Sequence, residues 1–321
     1  MASMTNSRPN LLRRQWFLFA LAGVLLIGLA FSKPLQILSE LPWLRACVVA
    51  TVLFLMALPL EFSSMWAALR RPAPTLLAIA ISFCLLPVFA WLVSLTLTET
   101  LAVGLLVTAA TPCTLASAAV WTRRAGGNDA VALMVTIFTN LTCFLVTPAL
   151  LLITTGRRGV ELPAGEMIAK LGLLVVLPIV LGQLIRLRRP IGEWATRRKV
   201  TLSTLAQCGI LFMVMVGAIL SGIELRESTD GESLTTIDFA LMLVAVVVVH
   251  TVALAAGHLL AAVMGMDRSN RIAVGFAGSQ KTLMVGLYVA TTYFGGLAIL
   301  PMVAYHVVQL LIDTVVADRL R

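Results

Sequence analysis

Thr111-Pro112-Cys113-Thr114-Leu115 interrupts one apolar run of this 321-residue chain, and Gly278-Ser279-Gln280-Lys281-Thr282-Leu283 interrupts another. A glycine pair follows each: Gly126-Gly127 after the first, Gly295-Gly296 after the second. The offset is 168 residues from Thr114 to Thr282 and 169 from Gly126 to Gly295. Paired interruptions at corresponding places in two halves of a membrane chain point to a ligand site near the bilayer midplane.

Working outward, composition sets the solvent. Hydrophobic residues make up 60% of the chain and charged residues 12%, with a mean hydropathy of +0.98. A soluble domain carries about 25% charged residues, so most of this surface faces lipid or other helices. Ten apolar runs stand out, at 16–31, 44–60, 75–95, 101–122, 130–154, 167–185, 202–221, 237–263, 272–293 and 297–316. About 20 apolar residues span a bilayer as a helix. The runs are too long and too uniformly apolar for the alternating strands of a barrel. The first run follows Arg13-Arg14 but has no small-x-small cleavage site before Pro34, so it reads as a span and not as a signal peptide.

Basic residues set the orientation. With the N-terminus in the cytoplasm, 17 of the 24 Lys and Arg fall on that side: Arg8, Arg13, Arg14, Arg70, Arg71, Arg123, Arg124, Arg186, Arg188, Arg189, Arg197, Arg198, Lys199, Arg268, Arg271, Arg319 and Arg321. The segment from Glu224 to Glu232 is acidic and faces out. Both termini are then cytoplasmic. The net charge of +9 comes from residues scattered at helix ends, where they meet lipid headgroups, and does not imply nucleic acid. The five cysteines lie in spans without disulfide or zinc spacing, so they read as packing residues; Cys113, at a break, is the exception to watch.

Ten spans divide into two sets of five, and an odd number per set makes the second copy enter from the opposite side. The expected organisation is a cytoplasmic tail over 1–15, five-helix repeats over 16–155 and 156–317, and a short tail over 318–321. The fold class is all-α integral membrane, with two inverted repeats.

Pro112 removes a backbone donor and frees carbonyls on one half-helix and amides on the other. Half-helix N-termini attract anions, and freed carbonyls can coordinate cations. Thr111, Thr114 and Ser117 at the first break, with Ser279, Gln280 and Thr282 at the second, add polar groups that belong in a shared cavity. Lys281 is the sharpest residue: an ionisable group inside a span costs roughly 2.5–3.5 kcal/mol on insertion scales. It either binds an anion, exchanges a proton or neutralises a carbonyl end. Glu61, Asp129 and Asp313 all read as lying near helix ends, so no carboxylate is expected at its depth. On the fifth span Thr136, Thr139, Asn140 and Thr147 share one helical face, suited equally to lining a cavity and to packing. His250, His258 and His306 lie within spans and read as satisfied interhelical residues. No Gly-rich phosphate loop, HExxH or Gly-x-Ser-x-Gly is present, so the expectation is not an enzyme, with no cofactor.

At these residues the chain resembles the bile acid:sodium symporter family, in its divergent branch that includes many bacterial chains. The resemblance covers nearly the whole membrane domain and is strongest over 110–148 and 276–309. It implies a panel of spans one, two, six and seven, and a core of the other six in which discontinuous helices four and nine cross. It implies sodium ligands only in part. Ser117, Thr136 and Gln280 match, but Ala118 stands where the family has asparagine and Phe276 where it has a bridging carboxylate. Lys281 occupies the neighbouring asparagine position.

The reading is therefore a secondary active transporter of a small organic anion, working by alternating access in a bacterial inner (plasma) membrane. Lys281 replaces a cation, so transport is sodium-independent or proton-coupled. The alternatives are sodium-coupled symport through Ser117, Thr136 and Gln280, and a non-transporting membrane regulator on the same fold. The expected partners are the anion and membrane lipid, with no nucleic acid.

Overall fold

The computed structural model describes residues 16–61, 72–156, 162–227 and 234–321. The N-terminal tail, Arg70, Arg71, Arg157, Arg158 and the loop carrying Glu232 lie outside the described residues. Every regular element among the described residues is a helix. In chain order they are α1 (Trp16–Ala30), α2 (Pro42–Ala57), α3 (Ala73–Ser94), α4 (Glu99–Ala110), α5 (Ser117–Arg124), α6 (Asp129–Thr155), α7 (Ala164–Arg186), α8 (Arg189–Arg197), α9 (Lys199–Glu227), α10 (Thr236–Val263), α11 (Arg268–Ser279), α12 (Leu283–Tyr293) and α13 (Ile299–Arg319). Short turns of helix at Ser32–Leu35 and Gln36–Leu38 follow α1.

The chain is a multi-pass membrane protein, and the ten spans expected from hydropathy resolve into pieces of unequal length. Among the described residues, seven helical stretches are long and apolar enough to cross a bilayer: α3, α6, α7, α9, α10, α13, and α11 with α12 taken together. An eighth is reached only if α1 is joined to the turns after it, across a 100° bend. The second and fourth apolar runs yield helices of 16 and 12 residues. α2 starts at Pro42, two residues before its apolar run, and ends at Ala57, three before the run does, while the break at Thr111 stops α4 early.

Two helices carry a π-turn, Ile81–Leu85 in α3 and Gly172–Val176 in α7, each with a proline two residues beyond it (Pro87, Pro178). The register shift has a local cause. In α3 the Leu86 N–H bonds back to Ile81 O. Pro87 has no N–H to offer the next carbonyl. Ser82 O is thereby released from the helix.

The helices pack in two groups, which touch along α6 and α7. In one, α1 lies on α9, α9 on α2 and α2 on α7. In the other, α10 and α3 lie on α11, α13 lies on α10 and α4, and α6 on α4, α5 and α11. The backbones of α10 and α11 touch, since a Cβ on Gly257 would fall 2.9 Å from Gly275 Cα. Small residues permit such approach where lipid offers no hydrophobic drive between helices. Residues 272–291 of the α11–α12 stretch are all buried, whereas only about a third of the apolar stretch of α10 is, and less of α7. The interrupted stretch is therefore the centre of the molecule, and its polar residues are enclosed by protein.

Candidate functional site

Two breaks meet at this centre. After α4, Thr111 is extended, and α5 starts only at Ser117. After α11, Gln280 and Thr282 are extended, and α12 starts at Leu283. The Thr282 N–H donates to Pro112 O at 2.9 Å, joining one break to the other. Backbone groups released by each interruption thus satisfy one another, as a buried backbone requires.

Lys281 is fully buried. Its Nζ donates to Thr111 O at 2.9 Å, Ser82 O at 2.7 Å and Ser82 Oγ at 3.1 Å, and lies 5.7 Å from the centre of the Phe83 ring. One carbonyl is freed by the first break and the other by the π-turn before Pro87. An ammonium has three protons, and three oxygens meet it. The Lys281 backbone is held by Gln309, which accepts from Lys281 N at 3.0 Å and donates to Lys281 O at 3.1 Å.

Gln280 points the other way. Its Oε1 accepts from Thr114 Oγ1 and Ser117 Oγ, both at 2.8 Å. Its Nε2 donates to Asp313 Oδ2. Only this amide orientation places N–H on the carboxylate. Asp313 also pairs with His250 Nε2 at 2.9 Å, and both side chains are fully buried. Tyr305, stacked edge-on against His250, donates its hydroxyl to Ser279 O at 2.7 Å.

The hydroxyl face of α6 closes the first break. Thr136 Oγ1 donates to Thr114 O at 3.1 Å, Asn140 Nδ2 to Cys113 O at 2.8 Å and Thr147 Oγ1 to Ala110 O at 2.8 Å, while Thr139 Oγ1 accepts from Cys113 N at 3.2 Å. The structure brings together Thr111, Pro112, Thr114, Ser117, Thr136, Asn140, Gln280, Lys281 and Thr282. The Ser279 hydroxyl is turned back onto Gly275 O of its own helix, so only its carbonyl joins the network. Ser117 and its neighbour Ala116 are half-buried and the rest are buried, which sets the side of approach.

Asp313 corrects one expectation: a carboxylate does reach the crossing, one residue away from Lys281 through Gln280. The signal was a stripe along α13, where Tyr305, Gln309 and Asp313 recur every four residues. Ser82 is the other residue not anticipated; a serine five before a proline in an apolar helix was its trace. His250 is satisfied between helices, as expected. The sodium ligands implied by resemblance are incomplete. Phe276 packs in an apolar cluster with Leu254, Ile272 and Ala317, and Ala118 is buried with no side-chain oxygen.

The model of the SBF-like CPA transporter family matches residues 15–321. The chain belongs to that family. Among curated relatives, it is 30% identical to the putative symporter YfeH of Escherichia coli, over 74% of this chain and 72% of the relative. It is 28% identical to the uncharacterized protein PA2026 of Pseudomonas aeruginosa, over 98% of this chain and 94% of the relative. It is 25% identical to the sodium/bile acid cotransporter 7 of Rattus norvegicus, over 96% and 93% of the two chains. The family and these relatives make the chain a membrane transporter.

Proposed function

We propose that the chain carries a small organic anion across a bacterial inner membrane by alternating access, with Lys281 in place of a free coupling cation. The observation that supports this most is the Lys281 ammonium among Thr111 O, Ser82 O and Ser82 Oγ. These are cation-coordinating oxygens, and a tethered charge already sits among them. The Thr114 and Ser117 hydroxyls lie 2.8 Å from Gln280 Oε1 and 2.7 Å from each other, so both find hydrogen-bond partners within this cluster. Neither N-cap residue, Ala116 of α5 or Thr282 of α12, caps its helix with a side chain, although Thr114 Oγ1 accepts from Ala118 N at 3.1 Å, so the remaining first-turn amides and their partial positive charge suit a carboxylate, sulfonate or phosphate. On this reading 16–155 and 156–317 are inverted repeats, with α4–α5 and α11–α12 as the crossed fourth and ninth spans. The α1–α2–α7–α9 group is a panel moving against the remaining core, and both termini are cytoplasmic. Coupling is then to protons, or transport is uncoupled.

One observation favours a second reading. Asp313 supplies a buried negative charge beside Gln280, so a sodium ion held by Ser117, Thr136 and Gln280 would have its countercharge from α13. Two measurements separate the readings. Reconstituted protein should take up anion at a rate indifferent to a sodium gradient, and Lys281→Met should abolish uptake in protein that still folds. Sodium-driven uptake, or full uptake by Lys281→Met, would overturn the first reading in favour of the second. No flux under any gradient would favour a membrane regulator on this fold.

A further inference from the structure

The second glycine pair makes a contact that the first does not, and it lies between the two helix groups. Gly295 has φ +96°, and Gly296 lies so close to α9 that a Cβ there would fall 2.3 Å from Ser221 N and 2.4 Å from Leu220 C. The Glu224 carboxylate accepts from both Gly296 N and Leu297 N, the latter at 2.9 Å. Ser221 Oγ donates to Gly296 O at 2.7 Å. One turn further along, Ile299 sits on Gly217, where a Cβ would meet its Cδ1 at 2.6 Å. Gly217, Ser221 and Glu224 are four and three residues apart and so form one stripe on α9. The stripe docks the 295–299 turn of one helix group onto a long helix of the other.

Gly126-Gly127 docks differently. Gly127 lies on Ile272, and Asn128 N donates to Ser269 O at 2.9 Å, both contacts being to α11 in its own helix group. The two glycine pairs therefore share a sequence pattern and not a role: one clamps across the groups, the other within one.

From this we infer that Glu224 is the gate residue of one membrane face, the face at which α9 ends. Its carboxylate holds the α12–α13 turn against α9 and closes that route to the crossing. The clamp is formed in the conformation described and must break for the site to open on that face. The inference rests on the alternating-access reading above. It concerns a residue outside the site, acting by position. Hydrogen bonds from backbone N–H to a carboxylate are among the stronger ones, and two of them share this single side chain. Replacing it should shift the balance between closed and open forms by about tenfold or more.

The test needs no substrate, so it can fail or succeed independently of flux. Ile299 is buried beneath the clamp. In Ile299→Cys protein in sealed vesicles, a membrane-impermeant maleimide is added to one side or the other, and modification is read site by site by peptide mass. The expected result is slow labelling at residue 299 that rises about tenfold with Glu224→Ala and less with Glu224→Gln, which keeps one acceptor oxygen. The rise should be confined to one side of the membrane. Buried Cys143 reports general loosening and should stay unmodified. Labelling at residue 299 unchanged by either substitution would overturn the inference. A rise from both sides, or an equal rise at Cys143, would overturn it too, by showing that Glu224 only supports the fold.

Discussion

At the scale of single residues, the crossing is held by two side chains that leave adjacent positions in opposite directions. Lys281 reaches α3 and the first break, while Gln280 reaches α5 and, through Asp313, α10. Taking a charge out of water is costly unless it is paired or well bonded. Lys281 meets that cost with two released carbonyls and a hydroxyl. Lys281→Met removes the charge and also strands the carbonyls, each worth about 1–3 kcal/mol when unsatisfied; since the desolvation cost disappears too, folding should survive while uptake is lost. Melting temperature and uptake measured on the same preparation check this. Asp313 behaves differently, because removing one member of a buried pair typically costs about 3–5 kcal/mol. Asp313→Asn should therefore lower thermal stability, and under the lead reading its residual uptake should stay indifferent to sodium. A sodium dependence present in the parent and lost in Asp313→Asn would assign the carboxylate to an ion site. Lys281 and Gln280 were readable from sequence because polar residues inside an apolar run carry their own signal. Asp313 was obscured because it lies close to the chain terminus, where a charge is expected to face water.

At the scale of elements, the π-turn of α3 is the least obvious part of the site. Its oxygen is available because Leu86 N–H bonds to Ile81 O and Pro87 contributes no donor. Pro87→Ala should let the turn relax to an α-helix and return Ser82 O to the backbone ladder. Lys281 would then lose a charge-assisted bond, and uptake should fall about tenfold while the helix itself gains stability. Unchanged uptake with an equally stable α3 would show that the turn does not serve Lys281. The other end of the broken stretch depends on a cap. Asp267 accepts from Asn270 N at 2.9 Å at the start of α11, and that bond holds its carboxyl below the usual aspartate range. A lowered folded pKa contributes stability that is fully present above the ordinary aspartate value and is lost as pH falls through the lowered one. Asp267→Ala should cost about 1 kcal/mol, and its melting curve should lack that acid-side loss. Hydropathy anticipated the seven helical stretches long and apolar enough to cross a membrane among the described residues, but gave the shorter second and fourth runs the same standing. It carries no information on where a helix loses its regular ladder, which here is decided by Pro87, Pro112 and the polar run at 279–282.

At the scale of the whole molecule, a buried, interrupted α11–α12 stretch lies at the centre, and the two helix groups meet along α6 and α7 as well as at the Glu224 contact. Length and composition showed a membrane protein, and the two interruptions found in the sequence meet at its buried centre. They could not show the pairing of the breaks through Thr282 and Pro112, because that contact joins residues far apart in the chain. Nor could they show that the two glycine pairs dock on different partners, which is a property of packing and not of pattern. The central claim, that Lys281 takes the place of a coupling cation, is tested most directly by anion uptake into proteoliposomes with and without an inward sodium gradient. The anion for that assay is the one giving the largest thermal shift in a sodium-free screen of organic anions. Equal uptake is expected in the two conditions and none with Lys281→Met; uptake that appears only with the sodium gradient would contradict a lysine-for-cation exchange.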